Sequence, residues 1–163
     1  ASRPLPVAGT CDFTYYVVTG AEDLSAGTYC GGLTIDGGIA KLFAGDYIIK
    51  DGPLTVMNGG TLDGDYVGFF LTGADAKLNF AADSSIDLSA PKAGDLTGLL
   101  FFSDASNPTS TKEKAGTKVK GGHVIRSDDA RRLVGTIYLP DYKLIVEGDE
   151  PVADLSEYTV IIA

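Results

Sequence analysis

The chain has 163 residues, about one domain's length, with 21 glycines, 44% hydrophobic residues and a net charge of −9. That hydrophobic share can bury a core and excludes a disordered tail, while the acidic balance argues against a nucleic-acid partner. No stretch approaches the ~20 apolar residues that cross a bilayer, and the opening Ala-Ser-Arg-Pro-Leu-Pro is not a signal-peptide pattern.

Residues 1–24 read as an N-terminal arm or cap, and 25–163 as the domain proper. Cys11 and Cys30 are the only cysteines. Zinc wants four nitrogen or sulfur ligands, and the single His123 is remote in sequence, so no metal or other cofactor is expected. A Cys11–Cys30 disulfide is the expectation, with two free buried thiols as the competing reading. The bridge would imply an oxidising compartment, and hence an excised portion of an exported chain.

Helical periodicity is weak along the whole chain, and short period-two runs recur between glycines. Ala26-Gly27-Thr28-Tyr29 is echoed by Ala44-Gly45-Asp46-Tyr47. Leu33-Thr34-Ile35 is echoed by Leu54-Thr55-Val56 and by Leu78-Asn79-Phe80. A third series comprises Tyr47-Ile48-Ile49, Phe69-Phe70-Leu71, Leu100-Phe101-Phe102, Ile137-Tyr138-Leu139 and Val160-Ile161-Ile162. Repeats near twenty residues with glycine corners predict an all-β, right-handed parallel β-helix (β-solenoid) of about five short coils. Asp36-Gly37, Asp51-Gly52 and Asp63-Gly64 are turn dipeptides that would also suit an antiparallel sandwich. The similarity of whole coils favours the solenoid.

If the ends of each triplet point inward, Ile48, Phe70, Phe101, Tyr138 and Ile161 form an outward apolar stripe, and Cys30, aligned with Ile48, joins it. Such a stripe is either covered by the domain's own loop or arm, or is a docking face for another protein. An insertion of about 103–122 interrupts the repeat. Within and after it, Lys112, Lys114, Lys118, Lys120, Arg126, Arg131 and Arg132 outnumber Glu113, Asp128 and Asp129. This basic patch on an acidic body is either a solvated loop or a contact for an anionic partner.

No catalytic residues are assigned. The acids sit mostly beside glycine, which is corner chemistry. His123 has no Gly-x-Ser-x-Gly elbow to serve, and neither phosphate-loop nor EF-hand spacing occurs.

The run Gly27-Thr28-Tyr29-Cys30-Gly31-Gly32-Leu33-Thr34-Ile35, followed by Ala44 to Val56 (AGDYIIKDGPLTV), resembles a segment of the TadG-like group of Tad (tight adherence, Flp) pilus-assembly proteins. Gly68 to Gly73, Ile86 to Pro91, Gly98 to Phe102, Ser127 to Pro140 and Pro151 to Ala163 fit in the same order. The resemblance implies a non-enzymatic domain, periplasmic or at the cell surface, tethered by a transmembrane segment upstream of this chain. It further implies partners among the pilus or envelope proteins of the Tad system, with roles in assembly, anchoring or adhesion. The lysine-rich loop matches no motif of that family. A carbohydrate-binding or polysaccharide-degrading β-helix, with a surface glycan as partner, is the expectation from a different class.

Overall fold

The computed structural model describes residues 6–104, 122–140 and 143–162. Glycine corners at short intervals leave each strand only three to ten residues long, too short to bury its inward face alone. Stacking solves this, because one coil laid on the next closes the backbone ladder and the core together.

Fifteen strands form one parallel sheet, with no helix among the described residues. They are β1 (Phe13–Val18), β2 (Ala21–Leu24), β3 (Gly27–Asp36), β4 (Ile39–Leu42), β5 (Gly45–Lys50), β6 (Leu54–Met57), β7 (Thr61–Gly64) and β8 (Val67–Thr72). There follow β9 (Leu78–Phe80), β10 (Ser85–Ser89), β11 (Leu99–Ser103), β12 (His123–Ile125), β13 (Asp129–Tyr138), β14 (Leu144–Val146) and β15 (Thr159–Ile162). Every pairing is parallel, which removes the antiparallel sandwich.

The ladders define three faces. A charged face stacks β2, β4, β7, β10 and the first half of β13. An aromatic face stacks the first half of β3 with β5, β8, β11, the second half of β13 and β15. An aliphatic face stacks the second half of β3 with β6, β9, β12 and β14. The N-terminal stretch also enters the ladders: β1 pairs with β3, and β2 with β4.

The corners need glycine because backbones meet there. A Cβ on Gly52 would lie 2.2 Å from the Gly31 carbonyl carbon, and Gly31 itself bends β3 at φ +77°. Asp63-Gly64, by contrast, is no turn: it lies inside β7, with Gly64 buried.

Inward residues pile in columns. Leu33, Leu54 and Leu78 align, as do Ile35, Val56 and Phe80, in the register the repeat predicts. His123 continues the leucine column, fully buried, and its Nδ1 accepts the Leu78 N–H at 3.0 Å. Tyr29, Tyr47, Phe69 and Phe101 stack with ring centroids 6.0, 5.5 and 5.3 Å apart, and Phe13 closes this column over Tyr29 at 4.5 Å. Each buried ring is worth roughly 1.5–3 kcal/mol, so this column is a large share of the core. The two tyrosine hydroxyls remain satisfied: Tyr29 donates to Ser25 O at 2.7 Å, and Tyr47 to Phe43 O at 2.7 Å and Leu24 O at 2.9 Å.

Candidate interaction surfaces

The outward column of the aromatic face is Ile48, Phe70, Phe102, Tyr138 and Ile162. Three of the five residues expected in the stripe therefore belong to that column: Ile48, Phe70 and Tyr138. Phe101 does not. It is fully buried against Phe69, because the ladder slips between Leu99 and Phe101 opposite Thr136–Ile137, and Leu100 is the extra residue of a β-bulge. The bulge reverses the facing of everything after it on β11, so Phe102 takes the outward place. Ile161 likewise aligns with Ile137 of the inward column, and Ile162 stands in line with Tyr138. Cys30 lies opposite Lys50 rather than Ile48.

The stripe has two halves. Ile48 and Phe70 are 8% and 4% exposed because a nine-residue excursion, 90–98, folds over them between β10 and β11. The excursion is pinned by the Gly98 N–H donating to Pro91 O at 2.8 Å and the Leu99 N–H donating to Leu96 O at 2.9 Å. Leu96 is wholly buried between them, and Ala8 of the N-terminal arm packs alongside. Gly68 makes room: a Cβ there would meet the Leu96 Cβ at 2.7 Å. Further along, Phe102 and Tyr138 stack on one another at 5.4 Å and stay partly exposed.

Cys11 and Cys30 form a disulfide with Cα atoms 5.7 Å apart, tying the arm to β3 and fitting an oxidising compartment. Among the described residues no helix is long and apolar enough to cross a membrane.

The expected basic patch divides. Lys112, Lys114, Lys118 and Lys120 lie outside the described residues. The three arginines are each matched to carboxylates: Arg126 to Glu147 at 3.1 Å, Arg131 to Asp154 at 2.6 Å, and Arg132 to Asp87 at 2.6 Å and Asp65 at 3.1 Å. The Arg131 guanidinium holds the Asp154 carboxyl below the usual carboxylate range. These arginines therefore knit neighbouring coils and present no surplus of positive charge.

A third surface was not legible in the sequence. Where the charged face turns into the aromatic face, Ala44, Gly45, Tyr66, Pro91, Lys92 and Ala93 line a hollow of about 390 Å³. Tyr66 sits between β7 and β8 at φ +60°, half-exposed, with the Lys92 ammonium 5.1 Å from its ring centroid. A hydrogen-bonded relay holds it. The Tyr66 N–H donates to the buried Ser89 Oγ at 3.1 Å, the Ser89 hydroxyl donates to Asp65 Oδ1 at 3.0 Å, and Arg132 donates to that same oxygen at 3.1 Å. The residues come from three successive coils, so no local motif announces them.

Compared with known protein families, curated proteins and solved structures, the chain matches none.

Proposed function

We propose that this domain is a non-enzymatic, disulfide-tied structural and interaction module of a Tad (Flp) pilus-associated envelope protein, working at the periplasmic or cell-surface side of the membrane. The supporting observation is the outer apolar stripe of the aromatic face, shielded over Ile48 and Phe70 and left partly exposed at Phe102 and Tyr138. Aromatic side chains stacked on a rigid parallel sheet give a docking face whose shape is fixed before a partner arrives, so little ordering entropy opposes binding. The ordered likeness to the TadG-like group supplies the system, and the disulfide fits its exported location.

The test is co-purification of the domain with the major pilin and the secretin of a Tad system, comparing wild type with the Phe102→Asp, Tyr138→Asp double variant. The reading expects a partner that is retained by wild type and lost by the double variant while the variant's circular dichroism spectrum is kept. Equal recovery with both proteins would sink it.

A further inference from the structure

The hollow at the corner between the charged and aromatic faces has no role in the reading above and does not depend on it. We propose that it is a binding site for a short stretch of neutral saccharide, with Tyr66 as the platform on which a sugar ring rests.

Four observations lead there. Tyr66 is 46% exposed and is absent from both apolar clusters of the fold. Its left-handed backbone costs roughly 1–2 kcal/mol that a glycine would avoid. The Ser89 hydroxyl, a 6% exposed group, accepts a hydrogen bond from the Tyr66 N–H and donates one to Asp65, which holds this backbone in place. The ring is thus held at the surface by a built support.

The walls are apolar, being Ala44, Pro91 and Ala93, and Gly45, whose missing Cβ makes room for Ala26 of the coil beneath, completes the lining. A pyranose has an apolar C–H face, which suits these walls and the Tyr66 ring, and a rim of hydroxyls, which would reach past them. Outside the hollow's own lining, on the charged face, the Asp65 carboxylate next to Tyr66 in the chain is fixed to the Arg132 guanidinium, and Arg132 also to Asp87. Carboxylate acceptors beside guanidinium donors suit adjacent hydroxyls, each of which both gives and takes a hydrogen bond.

Charge chooses between ligand classes. Lys92 and Arg132 stand against Asp65 and Asp87, so the corner offers no net positive field to a phosphate or a polyuronate, and the whole chain is acidic. Lys92 covers the Tyr66 ring through a cation–π contact. A saccharide takes over that ring face, and the displaced ammonium then donates to a ring hydroxyl.

The test titrates the whole domain with cellohexaose, chitohexaose, laminarihexaose and maltohexaose by calorimetry, each up to about 10 mM. At least one is expected to bind. Tyr66→Phe should keep the affinity, and Tyr66→Gly should lower it about tenfold or more. Glycine is the informative change because it suits φ +60°, so the variant folds at least as well and lost binding reports the missing ring. The site is overturned if none of the four binds, if Tyr66→Gly binds as well as wild type, or if a polyproline decapeptide binds through Tyr66 in their place. Shortened sugars after incubation would count against the non-enzymatic reading of the preceding subsection and leave the site standing. Loss of pilin co-purification would leave the saccharide site equally untouched.

Discussion

The aromatic sheet has two apolar faces that share the same strands and have opposite fates. Inward, Tyr29, Tyr47, Phe69 and Phe101 are fully buried, because the chain winds around them and Phe13 closes the column. Outward, Ile48 and Phe70 are dry only because residues 90–98 and Ala8 lie across them, while Phe102 and Tyr138, one and two coils on, remain partly wet. Winding thus buries the first face as a consequence of topology. The second face depends on local excursions, and an excursion can end. What the fold leaves uncovered is decided by where a loop stops, even though the hydrophobic pattern along each strand is the same.

The largest test of this contrast is Phe69→Ala. Phe69 has ring neighbours above and below, Tyr47 and Phe101, so its loss opens a cavity that the stacked backbone cannot close. A destabilisation of about 3–5 kcal/mol is expected by urea unfolding. A cost below about 1.5 kcal/mol would mean that the inner column is not the core.

Changing Cys11 and Cys30 together to serine comes next. The bridge spans a sequence separation of 19 residues, and removing it should cost about 3 kcal/mol. The variant should also loosen Ala8 from the outer cluster, raising hydrogen exchange around Ile48 before the inner column responds. Simultaneous loss of protection on both faces would break the proposed independence of the two.

Leu96→Ala sharpens the contrast further, since Leu96 touches only the outer cluster. The expected cost is about 2–3 kcal/mol, the lower end for a buried leucine because only a small cluster is lost. It should leave Phe70 newly accessible, which binding of a hydrophobic dye would report.

Alkaline pH addresses the inner face alone. Burial pushes the Tyr29 and Tyr47 hydroxyls well above the ordinary tyrosine value. A raised folded-state pKa means that the stabilisation is fully present below the unfolded value of about 10 and is lost as pH climbs past it. Urea midpoints should therefore be flat from pH 8 to about 9.5 and fall above pH 10. Tyr47→Phe should flatten part of that fall.

The inner columns could be read directly where coils follow one another without interruption. Leu33-Thr34-Ile35, Leu54-Thr55-Val56 and Leu78-Asn79-Phe80 stack as their repetition suggests, because triplets of the same apolar–polar–apolar pattern leave one register that keeps all the apolar residues inside. Phe101 was misplaced for a physical reason. The bulge at Leu100 adds one residue to the strand, and both Leu100 and Phe101 are buried, so period-two alternation fails there. Leu96 carries the cover over the stripe, yet it is one leucine in a turn-rich stretch and shows no periodicity at all. Arg132 meets Asp65 from 67 residues away, and Tyr66 meets Lys92 across a coil boundary. Contacts of that kind depend on coil lengths, which vary, and no spacing rule in the sequence encodes them.

The smallest expected effect lies where the two faces differ most. Tyr138 stacks on Phe102 at 5.4 Å and stays partly exposed. Tyr138→Ser should cost about 1 kcal/mol, the worth of one ring pair, because the residue is already partly exposed. That is half the figure for Leu96→Ala or less, although both side chains belong to the same outer surface. A loss as large as that of Leu96→Ala would show that the stripe is sealed along its whole length, and the surface offered to a partner would have to be sought elsewhere. A loss near 1 kcal/mol leaves Phe102 and Tyr138 as aromatic area that contributes little to the fold and is therefore free to contribute to binding.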